Sequence, residues 1–222
     1  MKVLLLGATG MIGQGVLREC LRDPAVSAVL SLGRSRIGVV NPKLTEIIHP
    51  ELGDRSTLAP LLTGLDACFF CLGVSSVRLA AAEYERITYG LTISVAEMLL
   101  AANPRLTFVY VSGQGTDSTE QGRSRWARVK GRTENQLRAM PFAAVYLFRP
   151  GMVQPLHGIT SRTRHYRLLY ALLAPLLSLL RWLFPRSITT TQQLGRAMIL
   201  VARDGYPTPV LEARDLTRLG AS

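Results

Sequence analysis

The stretch Gly7-Ala8-Thr9-Gly10-Met11-Ile12-Gly13, read GATGMIG, separates a short apolar run at residues 2–6 from a segment with helical apolar spacing. In a strand–helix turn of this kind, one glycine permits the tight turn, a second lets the backbone approach a pyrophosphate, and a third lets the helix pack against the strand. The helix N-terminus also offers unpaired N–H groups and a positive dipole to phosphates. The sequence therefore predicts a dinucleotide-binding turn whose contacts are Gly7, Thr9, Gly10, Met11, Ile12 and Gly13.

The second apolar run ends in Ser31-Leu32-Gly33-Arg34-Ser35-Arg36, at the point where a dinucleotide-binding protein selects its cofactor. An acidic residue here would hold the ribose 2′-hydroxyl of NAD, whereas an arginine accommodates the 2′-phosphate of NADP. Arg34 with Ser35, and Arg36 as a further candidate, therefore predict NADP rather than NAD, and an exposed loop arginine is the alternative interpretation of Arg34. Further contacts are expected after the third and fourth strands: Asp54 toward the adenine amine, and Leu72 and Gly73 above the cofactor.

Short apolar runs alternate with segments of helical spacing through most of the chain. Strands are predicted at residues 2–6, 28–32, 44–48, 66–72, 106–111 and 143–148. Helices are predicted at residues 11–21, 56–62 with Ser56 as the cap, 81–102, and 189–201 with a threonine cap. Apolar strands alternating with helices indicate a parallel sheet covered on both faces. The expected fold class is therefore α/β, a doubly wound parallel sheet of the NAD(P)-binding Rossmann type.

The alternation fails beyond Pro150. Residues 168–180 form an apolar run that is too short for a spanning helix, which needs about 20 apolar residues. We expect residues 151–188 to form a helical insertion beside the substrate or at a subunit interface, within a single domain that spans residues 1–222. An interfacial membrane helix is the open alternative.

The net charge of +11 lies almost entirely in the second half of the chain, which carries 16 of the 26 basic residues and 6 of the 15 acidic residues. Such a surplus can meet nucleic acid, an anionic membrane surface or cofactor phosphates. Few base-stacking aromatic residues interleave with the arginines, which argues against nucleic acid. Peripheral membrane contact therefore stays open, as does a homodimer. The expected partners are a hydrophobic small molecule, whose pocket the apolar region at residues 168–184 would line, or a regulatory protein.

The three cysteines, Cys20, Cys68 and Cys71, are too few for a secreted disulfide framework and favour a reducing cytoplasm. Cys68 and Cys71 form a CxxC inside an apolar strand, where positions i and i+3 point to opposite faces, so we interpret them as core residues. His157 and His165 have no ligand partners at recognised spacing, and no metal site is predicted. The N-terminus shows no signal-peptide pattern.

Six segments carry a resemblance to a known family: GATGMIG at residues 7–13, Gly53-Asp54, Cys71-Leu72-Gly73, Val111-Ser112-Gly113, WARVKGRTE at residues 126–134, and Phe148-Arg149-Pro150-Gly151. Together they resemble the atypical short-chain dehydrogenase/reductases, and most closely the NmrA-like and Tat-interacting-protein type of NAD(P)-binding protein. The resemblance covers most of residues 1–200. It implies a Rossmann fold with a short substrate-side region, and it implies that Pro150 and Gly151 pass along the nicotinamide. Pro150 as a plain strand terminator is the alternative.

The resemblance also implies the roles of three residues in the site. In active members, a tyrosine four residues before a lysine exchanges the substrate proton, the lysine holds the nicotinamide ribose, and a serine polarises the carbonyl. Lys130 matches the lysine and Ser112 matches the serine, with Gly113 as the alternative match for the serine. Trp126 occupies the position of the tyrosine. A tryptophan packed on the core beside a solvated lysine is the structural alternative.

Trp126 separates two functional hypotheses. An indole N–H donates a hydrogen bond but does not exchange its proton usefully, so loss of the tyrosine should slow turnover roughly 10²–10⁴-fold. Tyr84, Tyr89, His157 and Tyr166 are candidate replacements, and spacing fixes none of them. The first hypothesis is weak or unusual redox activity on a hydrophobic small molecule. The alternative is a non-catalytic, NADP(H)-dependent sensor that binds a protein partner.

Overall fold

Seven parallel strands form the central sheet of the structure, a computed structural model that describes residues 1–159 and 188–221. The described residues contain nine strands in all, two of which lie outside the central sheet. They are β1 Lys2–Leu6, β2 Ala28–Gly33, β3 Leu44–Ile48, β4 Ala67–Phe70, β5 Thr107–Val111, β6 Ala144–Arg149, β7 Met152–Gln154, β8 Ile188–Thr190 and β9 Val210–Glu212. The order across the sheet is β3-β2-β1-β4-β5-β6-β9, and β7 and β8 form a separate parallel pair. The strand order reverses beside β1, so the carboxyl ends of β1 and its neighbours are the expected ligand-binding edge.

Helices connect the strands and cover the sheet. Their bounds are α1 Met11–Arg22, α2 Arg55–Leu58, α3 Ala81–Glu85, α4 Thr92–Ala102, α5 Arg125–Ala139, α6 Thr191–Asp204 and α7 Ala213–Leu219. Short 3₁₀ turns lie at Ala59–Leu61 and Ser76–Arg78, and a π-helical turn, Arg86–Leu91, joins α3 to α4. Within the part of the chain that the structure describes, no helix is long and apolar enough to cross a membrane.

The core lies on both faces of the sheet because alternate residues of each strand point to opposite sides. On β1, Val3 and Leu5 pack with apolar residues of α1 and α6, while Leu4 and Leu6 pack with those of α4. All four side chains are fully buried. The predicted doubly wound parallel sheet is thereby confirmed.

Cys68 and Cys71 lie on opposite faces of the sheet, as the strand pattern predicted. Cys68 belongs to the apolar cluster on the α4 face, whereas Cys71 packs against the cluster on the other face, with its Sγ 4.0 Å from Met198 Sδ. Burial raises the pKa of both thiols, and Cys20, Cys68 and Cys71 are all free. The CxxC is therefore core packing.

The predicted strands and helices differ from the observed ones mainly at their ends. The helix expected at 56–62 begins at Arg55, because Asp54 rather than Ser56 caps it; the Asp54 side chain accepts the N–H groups of Ser56 and Thr57. The fourth strand is shorter than predicted and ends at Phe70. The helix expected at 81–102 is present but contains the π-helical turn, and the sequence did not predict β9 or α7.

The predicted insertion at residues 151–188 is described only at its ends. These ends are strands that pair with each other, not helix: β7 follows β6 directly, and β8 leads into α6. Residues 160–187, with His165, Tyr166 and the apolar run at 168–180, lie outside the described residues, so their helical character stays a prediction. The threonine cap of the following helix is confirmed, since Thr190 Oγ1 accepts the Gln193 N–H at 3.1 Å.

Candidate functional site

The glycine turn between β1 and α1 leaves no room for a side chain at two of its positions. Gly7 has a φ of +83°, and a Cβ on it would lie 2.7 Å from backbone atoms of Cys71 and Leu72. A Cβ on Gly13 would lie 2.0 Å from the Gly7 carbonyl oxygen. Close packing of β1, α1 and the end of β4 therefore requires glycine at both positions.

Gly10 has a different environment. Its N–H donates to the Gly7 carbonyl at 2.9 Å, and it is the N-cap of α1 without a side-chain hydrogen bond to the helix. Among the described residues, a Cβ on Gly10 would meet only the Gly7 oxygen, at 3.3 Å. The start of α1 thus borders open space without a side-chain cap, an environment that suits a pyrophosphate.

A cleft of about 1320 Å³ opens above this turn, at the carboxyl ends of β1, β2 and β4. Nine of the predicted cofactor contacts line it: Gly7, Thr9, Gly10, Met11, Arg34, Ser35, Asp54, Leu72 and Gly73. Ile12 packs against the core and Gly13 against the turn, so these two support the turn and do not line the cleft. The structure therefore brings together the residues expected around the adenosine and pyrophosphate of a dinucleotide.

The carboxyl end of β2 presents a cation to the cleft. Arg34 and Ser35 are exposed and line it, whereas Arg36 is exposed but lies outside it. The loop is held from β3, because the Glu46 carboxylate accepts the Ile37 N–H at 2.8 Å. A basic side chain therefore stands where a dinucleotide places the substituent of its adenosine ribose.

Asp54 lines the cleft, but its carboxylate is already engaged. Oδ1 accepts the Ser56 N–H at 3.0 Å, the Ser56 hydroxyl at 2.7 Å and the Thr57 N–H at 3.4 Å, while Oδ2 lies 3.6 Å from His49 Nε2. The hydrogen bonds from Ser56 and then Thr57 lower the pKa of Asp54 to about 2. The predicted contact with an adenine amine would therefore use Oδ2 of a carboxylate whose other oxygen caps α2.

The sequence prediction missed the wall of the cleft that the π-helical turn supplies. This wall consists of Glu83 from α3 with Arg86, Ile87, Gly90 and Leu91. Arg86 donates from Nε and Nη2 to the two Glu83 oxygens, at 2.8 and 2.7 Å. Helical spacing could show which residues share a face, but it assumes 3.6 residues per turn, and a π-helical turn departs from that period.

A second group of predicted residues meets at the carboxyl end of β5. Lys130 Nζ donates to the Val111 carbonyl at 3.2 Å and lies 5.4 Å from the centre of the Tyr110 ring. Ser112 is buried, and its Oγ donates to the Phe148 carbonyl at 3.1 Å. Desolvation lowers the pKa of Lys130 to about 8. A lysine that exchanges its proton near neutral pH is typical of functional sites.

Trp126 lies at the start of α5, one helical turn before Lys130 and on the same face. Its half-buried ring packs against the loop that follows Ser112, since a Cβ on Gly115 would lie 3.6 Å from Trp126 Cη2. A donor that does not ionise therefore stands at the position where the family resemblance implies a tyrosine.

Pro150 and Gly151 complete the second group. The Pro150 carbonyl accepts the Gln114 N–H at 2.9 Å, which extends the contact between the ends of β5 and β6. Pro150 is buried and Gly151 half-buried, and neither lines the cleft. The predicted site thus has two parts: the nine cleft residues, and a second part at the ends of β5 and β6 with Ser112, Trp126, Lys130, Pro150 and Gly151.

No candidate replacement for the tyrosine is hydrogen-bonded to Lys130 or Ser112 among the described residues. Burial raises the pKa of the Tyr84 hydroxyl, Arg132 covers the Tyr89 ring at 4.2 Å, and His157 pairs with Gln192 at 3.1 Å. Tyr166 lies outside the described residues. Over residues 1–159 and 188–221, no cluster of three or more His, Cys, Asp or Glu side chains is arranged to hold a metal ion.

The family model described as "NAD dependent epimerase/dehydratase family" matches residues 3–124, which is more than half of the chain. The chain belongs to this family. The matched range contains the glycine turn, Arg34, Asp54 and Ser112, and the family binds NAD(P) nucleotides. The expectation of an NAD(P)-binding Rossmann protein of the atypical short-chain dehydrogenase/reductase class is therefore confirmed.

Relatives of this epimerase/dehydratase family member include "Protein fmp52-1, mitochondrial" of Aspergillus terreus, 29% identical over 157 residues that make up 68% of this chain and 66% of that protein. Rat "Protein HTATIP2" is 27% identical over 154 residues, 68% of this chain and 62% of that protein. The chain thus matches just under two thirds of the length of these relatives. A short-chain dehydrogenase/reductase family oxidoreductase from Burkholderia thailandensis has the same fold, with a TM-score of 0.69 at 18% identity over 96% of this chain and 90% of that one.

Proposed function

We propose that this chain binds NADP(H) and has weak or unusual redox activity on a hydrophobic small molecule. The observation that supports the cofactor preference is the exposed Arg34, which lines the cleft with Ser35 at the end of β2, where an NAD-selective site would carry a carboxylate. A guanidinium accommodates the 2′-phosphate of NADP, and the neighbouring serine hydroxyl adds a hydrogen-bond donor.

The residues of both parts of the site would act together on a bound cofactor. When bound, the nicotinamide supplies or accepts a hydride. The start of α1 would hold the pyrophosphate through its uncapped N–H groups, and Lys130 would donate to the nicotinamide ribose. Ser112 would turn its hydroxyl from the Phe148 carbonyl toward a substrate oxygen, and the Trp126 indole would donate a hydrogen bond without supplying a proton. Slow turnover follows from this lack of an acid at the tyrosine's position.

The cofactor preference is tested by substituting Arg34→Glu and measuring NADPH and NADH affinities by fluorescence titration. We expect the wild type to prefer NADPH, and Arg34→Glu to weaken NADPH binding roughly 10–100-fold while changing NADH binding little, because a like-charge contact replaces an ion pair. Arg36→Glu is the matched control, since Arg36 is a neighbouring exposed arginine outside the cleft. Equal affinities for the two cofactors in the wild type, or an unchanged Arg34→Glu, would contradict the proposal.

We propose as the second candidate function a sensor in which cofactor occupancy controls binding to a protein partner. The observation that favours it is Trp126, packed against the loop after Ser112 where the proton-exchanging tyrosine would stand. A panel of aldehydes and ketones should show no turnover by the wild type and measurable turnover by Trp126→Tyr, with Trp126→Phe as the inactive control. Turnover by the wild type at an ordinary rate, about 1–10³ per second, would exclude the sensor.

We propose a cytoplasmic location, supported by the three free cysteines, which a reducing compartment maintains as thiols. The competing proposal is a mitochondrial location, which the names of the Aspergillus relatives support. Fractionation of the native cell, with immunodetection of the chain, distinguishes the two outcomes.

We propose that contact with an anionic membrane surface uses basic residues such as the exposed Arg123 and Arg125 beside the start of α5. A homodimer would instead use the insertion predicted at residues 151–188. Light scattering measures the oligomeric state, and co-sedimentation with anionic vesicles measures membrane contact. Binding to duplex DNA that weakens steeply with salt would replace this proposal with nucleic-acid contact.

A further inference from the structure

Glu134 lies one helical turn beyond Lys130 on α5, and its side chain is only 1% exposed. A buried carboxylate is costly unless hydrogen bonds and an opposite charge compensate for its lost hydration. Glu134 follows Lys130 at a spacing of i+4, which places both side chains on the same helix face. Burial of this carboxylate lowers the stability of the fold unless a partner compensates, so its presence beside Lys130 indicates a functional role.

Arg149, the last residue of β6, supplies the compensation. Its guanidinium binds Glu134 in a bidentate manner, with Nε donating to Oε1 at 3.0 Å and Nη2 donating to Oε2. Nη2 also donates to Ser118 Oγ at 2.6 Å, and Nη1 lies 3.4 Å from Glu212 Oε1 on β9. One guanidinium thus joins α5 to β6, to β9 and to the loop that follows Ser112.

Lys130, on the same face of α5 as Glu134, reaches the end of β5. Lys130 is half-buried, with its Nζ bound to the Val111 carbonyl and placed near the Tyr110 ring. Desolvation lowers the pKa of Lys130 to about 8, and the negative charge of Glu134 acts in the opposite direction. Among the described residues, Glu134 on α5 and Tyr110 on β5 act on this lysine directly. Tyr84 on α3 acts on Tyr110, and Arg149 on β6 pairs with Glu134.

We propose that Glu134, clamped by Arg149, is a positioning residue that keeps the ammonium group of Lys130 charged toward the nicotinamide half of the site. The inference rests on the proposed function for what Lys130 holds, but the effect of Glu134 on Lys130 can be measured without a cofactor. Glu134 touches neither substrate nor cofactor in this scheme; it acts through Lys130.

The link is tested on the protein alone by lysine NMR. The chain has only three lysines, Lys2, Lys43 and Lys130, so protein labelled with ¹³C-lysine gives three side-chain signals, and Lys130→Arg assigns the relevant one. We expect Glu134→Gln to shift the titration of Lys130 to lower pH than the wild-type value near 8. Glu85→Gln is the matched control, because Glu85 is an exposed glutamate that pairs with Arg132 of the same helix at 2.7 Å. Identical Lys130 titrations in the wild type and Glu134→Gln would overturn the proposal.

Cofactor binding gives a second readout that a structural defect would not reproduce. We expect Glu134→Gln to weaken NADPH binding roughly tenfold at pH 8, as expected for coupled neighbours, and to leave binding of adenosine 2′,5′-bisphosphate unchanged. That fragment uses the cleft and does not reach Lys130. Equal losses for NADPH and the fragment would mean a general disturbance and contradict the positioning role. If neither ligand binds the wild type, the proposed function fails, while the lysine titration still decides the inference.

A folding defect in Glu134→Gln does not remove the test. The double variant Glu134→Gln/Arg149→Gln leaves neither charge buried without its partner, and removing both members of a buried pair is tolerated better than removing one. We expect a downward shift of the Lys130 titration that is smaller than in Glu134→Gln, because the double variant also removes the positive charge of Arg149. A Lys130 titration at or above the wild-type pH in the double variant would overturn the proposal.

Discussion

Gly10 and Gly13 belong to the same turn but have opposite surroundings, and this difference yields the first prediction. A methyl group on Gly13 would press on the Gly7 oxygen, so Gly13→Ala should lower the free energy of unfolding by about 1–3 kcal/mol. A methyl group on Gly10 would enter the open cleft. Gly10→Ala should therefore change stability by less than about 1 kcal/mol while weakening NADPH binding at least roughly tenfold. Urea unfolding and fluorescence titration measure the two quantities.

The two substitutions control for each other because each adds a single methyl group to the same turn. If Gly10→Ala lowered the stability without weakening NADPH binding, the space above Gly10 would be needed for folding and not for the cofactor. If Gly13→Ala had the stability of the wild type, the Gly7 backbone would have to move away from the new methyl group, which would otherwise lie 2.0 Å from the Gly7 oxygen.

Lys130 yields a prediction about pH. Its pKa is lowered to about 8 by desolvation, so its positive charge is complete only well below pH 8, is half lost at pH 8, and disappears as the pH rises further. Binding of an anionic cofactor favours the charged form, and NADPH affinity should therefore be highest below pH 8 and fall by up to about tenfold per pH unit above it. Lys130→Arg keeps its charge and should flatten the profile above pH 8. An equally steep decline in Lys130→Arg would assign the titration to another group.

Individual residues also show where sequence reasoning stops. The glycines at 7, 10 and 13 could be predicted because a strand–turn–helix pattern surrounds them in sequence. The pairing of Glu134 with Arg149 could not, because the two residues come from a helix and a strand that meet only in the folded sheet. Asp54 was predicted as a cofactor contact, and its role as the cap of α2 was missed. The apolar spacing placed the start of this helix at residue 56, one residue later than the observed start at Arg55.

The packing of α5 against the loop after β5 yields a prediction for a whole element. A Cβ on Gly131 would lie 1.7 Å from the Asp117 carbonyl oxygen, so helix and loop touch backbone to backbone. Gly131→Ala should lower the free energy of unfolding by about 1–3 kcal/mol and should weaken NADPH binding more than binding of adenosine 2′,5′-bisphosphate, because Lys130 is the preceding residue. Urea unfolding and the two titrations measure these effects.

Arg132→Ala is the matched control for that substitution. Arg132 follows Gly131 on the exposed side of α5, pairs with Glu85 and should contribute less than about 1 kcal/mol. Comparable losses of stability in Arg132→Ala and Gly131→Ala would mean that the helix surface, and not its backbone contact with the loop, determines the position of α5.

Elements with a strong local pattern were predicted well, and those that depend on partners were not. β1 and β3 have the predicted bounds because continuous apolar or alternating runs end at clear breaks. β9 has only three residues and becomes a strand through its pairing with β6, for which the sequence gives no local signal. The π-helical turn Arg86–Leu91 was not predicted either, for a different reason. The apolar residues of this segment follow the spacing of an ordinary α-helix, and only the backbone shows the wider turn.

The molecule as a whole places both parts of its site on one edge of the sheet. The glycine turn at β1 and the Lys130 group at β5 are separated by a single strand, β4, whose end packs on Gly7. Glycines also allow α1 and α6 to approach, since a Cβ on Gly15 would lie 2.5 Å from Thr191 Cβ. The edge that binds ligand in doubly wound sheets is thus held by close backbone contacts on one side and by the Arg149–Glu134 pair on the other.

Because both parts of the site exist only in the folded sheet, cofactor binding should stabilise the entire fold. A ligand at 100 times its Kd adds about 2.7 kcal/mol to the free energy of unfolding, which raises the Tm of a domain of this size by roughly 5–10 °C. At equal concentrations, NADPH should raise the Tm more than NADH does, and Arg34→Glu should abolish that difference. Thermal unfolding with each cofactor measures the shifts, and Gly10→Asp, which puts a carboxylate in front of the α1 N-terminus, should respond to neither. A full NADPH shift in Gly10→Asp would show that the cofactor does not bind at the glycine turn, whereas equal shifts for both cofactors in the wild type would show that Arg34 does not select between them.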